Sequence, residues 1–405
     1  MLSPAPVAAP SETPPPDGVT VLGVQFASIT SLFAPLADRT ELMFVHVNDW
    51  LNELRYRFRP GAFVQVQPPA GMDWREWRCP PGWANRLAPA IMPILAMRLQ
   101  RAWRARGWKN PRLVVTFPYF LPLVQKLEPA RTVYYAVDNY QAYWPDRAAA
   151  LREQENALIR IAGASIAASS LLADWFRERV PSASAKIYQI ANGVRPEMIA
   201  PIEAIKAGPA VLDRDLAQRF GDASGPVVGY YGNIDPGYGI EFLAAVVARL
   251  PEFPFLLMGR VLSDERKPYK QAIADLRKCP NVFFTGHLQE PHSLRFLRQC
   301  DVMIISLPLT EQIRYSCPNR LWTYMATGRP IVSTPIPEVT KFGDLVYIAA
   351  GVDEFVAALR DAARENDPQR MAQRLEVAKE HTWPVLAERL YSRLCLTGNE
   401  GSSAR

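Results

Sequence analysis

Short runs rich in Val, Ile, Phe and Tyr recur along the chain, separated by stretches whose apolar residues fall three and four positions apart. In the first half the runs are Thr20–Ile29, Glu41–Asn48, Phe63–Gln67, Arg112–Phe117, Thr132–Val137, Ser165–Ser169 and Ile187–Ile190. Such near-continuous apolar runs suit strands of a parallel sheet covered on both faces. Between them, Ala84–Arg106 and Arg147–Ile161 carry the spacing of amphipathic helices.

The second half repeats the pattern more cleanly. Strands are predicted at Val227–Tyr231, Phe255–Met258, Val282–Thr285, Val302–Ser306, Ile331–Ser333 and Leu345–Ile348, with helices at Ile240–Arg249, Tyr269–Lys278 and Leu294–Cys300. Alternation of strand and helix argues for an α/β protein with doubly wound sheets. The stretch 196–225 is rich in Pro and Gly and reads as a linker. The expected organisation is a Pro-rich disordered tail at 1–18, a first Rossmann-like domain at 19–195, a second at 226–370, a helical segment at 371–395 that crosses back, and a tail at 396–405. Pro384 is expected to kink or split that segment. Two such domains facing a cleft place chemistry at the loops beyond the carboxyl ends of the strands.

A length of 405 residues fits two domains better than one core. Charge refines the picture: residues 1–195 hold 22 Lys and Arg against 15 Asp and Glu, so the net +6 of the whole chain comes from the first half. That asymmetry points to an anionic partner there. The excess is densest between Trp50 and Arg112, with 12 basic residues, three acidic ones and six of the ten tryptophans. Such a segment can meet single-stranded nucleic acid or an anionic membrane surface, or be a packed helix with Arg on its outer face. No RRM, KH or helix-turn-helix signature is present. The longest apolar run, Leu87–Met97, has 11 residues, short of the ~20 that span a bilayer. Five scattered cysteines without C-x-x-C spacing read as reduced thiols of a cytoplasmic protein.

Two motifs carry candidate chemistry. From Gly229 to Gly239 (GYYGNIDPGYG) a strand runs through four glycines into a helix, which suits a phosphate near a helix N-terminus and equally suits a tight turn. From Ser316 to Thr334 (SCPNRLWTYMATGRPIVST), Pro318 can open a helix with Arg320 in its first turn and Gly328 can close it. A guanidinium there forks onto phosphate oxygens, or is simply solvated.

The second motif, with GYYGNID, FLLMGR, NVFFTGHL and CDVMIIS in the same order, resembles the donor half of GT-B nucleotide-sugar glycosyltransferases. YYAVDNYQAY and the segment after it resemble the acceptor half of bacterial exopolysaccharide members, among them the xanthan glucuronosyltransferase and group 1 enzymes. The resemblance covers roughly residues 110–360. It implies transfer of a sugar from a nucleoside diphosphate, most often UDP, to a lipid-linked or growing polysaccharide acceptor, on the inner face of the plasma membrane and without nucleic acid. It further implies Gly232, Asn233 and Asp235 beside the donor diphosphate, Arg260 and Arg320 neutralising it, and no metal or other cofactor. His287, after a strand, is a candidate for the nucleotide base or sugar. Thr323 stands where many relatives carry a ribose-binding Glu, and the E-x7-E pair of retaining members is absent because Asn319 lies eight residues after Glu311.

Asp138 ends the strand Thr132–Val137. By position it is a turn or N-cap residue, or a base aimed into the cleft. The resemblance puts the catalytic Asp of an inverting transferase here. Glu153 and Glu155 read as surface charges and His46 as a core residue. Two other functions fit the same residues: a non-catalytic binding subunit on this fold, motivated by Thr323, and a nucleotide-sugar epimerase, which needs no acceptor.

Overall fold

The apolar runs form two all-parallel sheets. A computed structural model describes residues 17–396 apart from 25, 52–71, 200–219, 221–224, 263–265 and 289–291. The expected strand Phe63–Gln67, most of the 196–225 linker and the greater part of both tails lie outside the described residues.

The first sheet holds β1 (Gly18–Leu22), β2 (Glu41–Asp49), β3 (Asp73–Cys79), β4 (Arg112–Val115), β5 (Thr132–Ala136), β6 (Ala164–Ala167) and β7 (Ile187–Gln189), in the order β3-β2-β1-β4-β5-β6-β7. The second holds β8 (Val228–Tyr231), β9 (Phe255–Met258), β10 (Val282–Gly286), β11 (Val302–Ile305), β12 (Ile331–Ser333) and β13 (Val346–Ile348), ordered β10-β9-β8-β11-β12-β13. In each, the order reverses at the first strand, between β1 and β4 and between β8 and β11. That is where a doubly wound sheet opens a crevice at its strands' carboxyl ends.

Three sequence expectations change. The strand expected to run from Thr20 to Ile29 stops at Leu22, and Ala27–Phe33 is a helix. Ile29, Leu32, Phe33 and Leu36 have helical spacing and are all buried, so burial of that stripe wins. β3 was not expected: Asp73–Cys79 mixes Arg, Glu and Trp, as an edge strand with one solvent-facing flank does. Glu155 is not a surface charge. It is buried at 2% exposure, accepts from Tyr134 Oη at 2.7 Å and Gln141 Nε2 at 3.0 Å, and pairs with Arg179 at 2.6 Å.

The tryptophans of the basic segment mostly turn inward. Trp83 and Trp108 are buried, Trp74 stacks on Phe44, and the Trp103 indole N–H bonds Thr20 Oγ1. Outward it presents Trp50, Ile94 and Met97, the last two on the Ala88–Ala105 helix. Among the described residues no helix is long and apolar enough to cross a membrane. Among the described residues the five cysteines form no disulfide.

After the second sheet the chain forms Pro368–Glu380, breaks at His381 and Thr382, and resumes as Trp383–Leu396 with Pro384 in the first turn, where its missing N–H costs nothing. The first helix is pinned to the second domain by the fully buried Arg374, which pairs with Glu365 and donates Nε to Leu345 O at 2.9 Å. The second sets Leu386, Leu390 and Leu394 into the core under the first sheet. The chain's two crossings between domains touch: Val194 donates its N–H to His381 O at 2.9 Å and accepts from Trp383 N at 3.0 Å.

Candidate active site

Between the sheets' carboxyl ends lies a cavity of about 340 Å³ that draws its wall from both domains. Asp138, Val137, Tyr143 and Asn192 come from the first, and Gly232, Asn233, Gln312, Arg320 and Thr323 from the second.

The donor-side wall follows from the two motifs. Pro318 precedes a helix of Asn319–Met325, which turns Leu321, Trp322 and Met325 into the core and leaves Arg320 and Thr323, three residues apart, on the cavity side. Tyr324 ties this helix to the end of β8, its hydroxyl accepting from Tyr231 N at 2.8 Å. The Arg320 guanidinium lies over the Tyr230 ring, 4.3 Å from its centre, with Tyr238 at 5.6 Å. Its Nη2 donates to Asn233 O at 3.1 Å, while Nη1 is buried with no partner among the described residues. Burial works against its charge, but the surrounding tyrosine hydroxyls outweigh that and raise its pKa, so it stays a cation.

The glycines serve space more than donation. Gly232 has φ of 131° and its N–H is spent on Met258 O at 2.9 Å. Gly239, at φ 76°, passes so close to Ser306 O that a Cβ would stand 1.9 Å away. This close pass sets where the Ile240–Val247 helix begins.

On the facing wall Asp138 follows β5 in a bend and is not the cap of the helix after it. Asn139, not Asp138, caps the one-turn helix Tyr140–Tyr143, its side chain accepting from Gln141 N at 3.1 Å. Asp138 accepts from Asn139 N through Oδ1 at 2.9 Å and from Tyr143 Oη through Oδ2 at 2.6 Å. Burial pushes its pKa up to about 6, against the pull of Tyr143, the Asn139 N–H and Gln312. Gln312 reaches over from the second domain to donate Nε2 to Tyr143 Oη at 2.8 Å. Asn192 donates Nδ2 to Cys317 O at 2.6 Å, leaving Oδ1 buried and unpartnered among the described residues.

Of the residues singled out by sequence, Asp138, Gly232, Asn233, Arg320 and Thr323 share this cavity, while Asp235, Arg260 and His287 are not in its wall. Asp235 lies close enough to Tyr238 to raise its pKa, though burial is the larger cause. Arg260 is half-buried just beyond β9, with its carbonyl bonded to Ile234 N, and His287 is exposed. His46 is half-buried, with Nδ1 2.7 Å from Val24 O. Tyr143, Gln312, Tyr230 and Tyr238 escaped sequence reasoning. Only Tyr143 left a local signal, lying one helical turn past a capping Asn. Among the described residues no group of three or more His, Cys, Asp or Glu could hold a metal ion.

Residues 225–365 match the family of Glycosyl transferases group 1. TuaH of Bacillus subtilis, named as a teichuronic acid biosynthesis glycosyltransferase, is 22% identical over 242 residues, 58% of this chain. The match spans 57% of TuaH, a little over half its length. Among solved structures, HepE of Anabaena in complex with UDP superposes with a TM-score of 0.66 at 14% identity, over 93% of this chain and 99% of its own. Sucrose-phosphate synthase of Thermosynechococcus elongatus gives 0.66 at 14%, over 92% and 97%. An E. coli structure bound with UDP-2-fluoro glucose gives 0.65 at 13%, over 93% and 99%.

Proposed function

We propose that this chain, a GT-B protein whose residues 225–365 are a group 1 glycosyltransferase domain, transfers a sugar from a nucleoside diphosphate donor to a glycan hydroxyl. The donor is a UDP-sugar and the acceptor a lipid-linked or growing polysaccharide. The observation that carries the reading is one cavity with a carboxylate poised near neutral pH on one wall and a buried cation with an unpartnered N–H on the other.

Asp138 Oδ2 takes the proton of the acceptor hydroxyl as its oxygen attacks the anomeric carbon. The bond from that carbon to the diphosphate oxygen breaks on the opposite face, giving inversion. Negative charge then grows on the departing diphosphate, and Arg320, already fixed over Tyr230, meets it without reorganisation. No metal is required, since the guanidinium supplies the positive charge. The Thr323 hydroxyl lies where it can bond the donor, more weakly than a carboxylate, and Asn192 Oδ1 can accept from a sugar hydroxyl. Asp235, Arg260 and His287 stand outside the cavity wall and are given no part in this step.

The partner surface is part of the proposal. The Ala88–Ala105 helix exposes Ile94 and Met97 on the face that also carries Arg101 and Arg104, a combination suited to resting on anionic lipid. Flotation with phosphatidylglycerol vesicles should lift the protein at low salt and fail with neutral vesicles. Equal behaviour with both removes the membrane from the scheme.

The reading as a whole is tested by thermal shift with UDP, GDP, dTDP and ADP, without added metal, followed by transfer assays with sugars of the responding nucleotide. A ligand at about 100 times its Kd adds roughly 2.7 kcal/mol of stability. Silence from all four would remove the donor site. Binding without transfer would favour a non-catalytic subunit.

A further inference from the structure

We infer that Tyr143 is a positioning residue for Asp138, and that Gln312 holds it from across the cleft, so that the carboxylate is fully set only while the two domains are closed on one another. This rests on the assignment of Asp138 as the base.

Hydrogen-bond capacity fixes the direction of the chain of contacts. A carboxylate only accepts, so Tyr143 must spend its single proton on Asp138 Oδ2. Its oxygen is then left as an acceptor, and Gln312 must present its amide NH₂, not its carbonyl. Each partner has one workable orientation, and the order Gln312 to Tyr143 to Asp138 is polarised towards the base.

Both ends are anchored by their own domains. Tyr143 closes a one-turn helix pinned by the Asn139 cap and by Tyr140, which is 1% exposed. Gln312 sits on the one-turn helix Glu311–Arg314, capped by Thr310 and rooted in the second core by the buried Ile313. Parting the domains therefore breaks the Gln312–Tyr143 contact before either helix has to move. Freed of Gln312, the tyrosine can rotate and its proton no longer has a fixed target.

The titratable groups facing Asp138 are Tyr140 and Tyr143 beside it and Tyr238 from the other domain. Burial raises all three, and they stay neutral at working pH. A hydrogen bond donated to the ionised form favours that form, so Tyr143 and Gln312 together hold the carboxylate in its charged state at lower pH than burial alone would allow. An acceptor hydroxyl then meets a base that is ionised and aimed.

The test needs no substrate. Protein labelled with ¹³C at the aspartate carboxyl carbon is titrated by NMR, with the Asp138 signal assigned by its loss in Asp138→Asn. The wild-type midpoint should fall near 6. Tyr143→Phe should move it up by about one pH unit, and Gln312→Ala in the same direction by less. In the double variant the midpoint should lie somewhat above that of Tyr143→Phe, because Gln312 also acts on the carboxylate itself. An unmoved midpoint in Tyr143→Phe overturns the positioning role. An unmoved midpoint in Gln312→Ala overturns the cross-domain part. Because the readout is substrate-free, it stands apart from the transferase reading, which fails separately if Asp138→Asn retains transfer.

Discussion

Gly232 and Arg320 are fitted to one another: a Cβ on Gly232 would stand 3.0 Å from the guanidinium Nε and 3.1 Å from Nη2. The glycine's φ of 131° is also one that other residues rarely adopt. Gly232→Ala should therefore both strain the turn and push the guanidinium off Tyr230. UDP affinity, measured by calorimetry, should fall about tenfold while the fold persists at a cost of about 1–2 kcal/mol.

Removing the cation tests the same wall directly. Arg320→Ala should weaken UDP binding by about 100-fold, the scale of a charge-assisted contact. Arg320→Lys should restore little of it, because an ammonium cannot make the fork or the planar stack on Tyr230. Equal affinity in all three proteins would take the diphosphate away from this residue.

Asp138→Asn should lower transfer by roughly 10²–10⁴ with UDP affinity unchanged. Wild-type rate should rise with pH through about 6, as the base ionises. The same group acts on stability with a definite sign. Its folded pKa lies above the unfolded 3.8, so the fold carries no penalty from it below pH 3.8, loses stability as pH rises, and bears the full penalty above 6. Asp138→Asn should thus be more stable than wild type at pH 8, by up to roughly 3 kcal/mol, and no more stable at pH 4.

The charge compensation proposed for Arg320 predicts transfer without a divalent metal. Transfer should survive 5–10 mM EDTA (about the usual chelating dose) with less than about a twofold change. Loss on chelation with recovery on added Mg²⁺ or Mn²⁺ would replace that part of the mechanism.

Arg112 is a structural counterpart, 1% exposed, with Nε on Leu394 O at 2.9 Å and Nη1 on Asn110 Oδ1 at 2.7 Å. Burial lowers its pKa, the main cost of keeping it there. Arg112→Ala leaves a helix-end carbonyl and a cavity behind. It should cost about 3–4 kcal/mol and first loosen the Trp383–Leu396 helix, seen as faster amide exchange there.

The doubly wound sheets were legible because their strands are covered on both faces and so are apolar at consecutive positions. β3 was not, since Asp73–Cys79 lies on an edge and interleaves charge with tryptophan. Arg320 stood out because a proline, a helix and a closing glycine frame it within one short segment. Glu155 was misread because nothing local distinguishes a charge paired beneath the surface from a solvated one, and its partner Arg179 lies 24 residues on. Gln312 and Tyr143, 169 residues apart, meet only once both domains are folded and apposed.

The contact between Val194 and Thr382 has a mechanical meaning. The chain enters and leaves the second domain at one place, where two strands of backbone lie side by side in a parallel bridge. Once the other contacts across the domains part, those of Ser169 and Trp175 with Tyr315 and of Ser170 with Glu338, this point is where that domain should swing and twist more readily than slide. Asn192 and its bond to Cys317 sit two residues from the pivot, so that corner of the cavity should keep its shape through a swing. The stroke is largest far from the pivot, and a crosslink near 194 and 382 would leave the enzyme running, whereas one across the opposite rim would stall it.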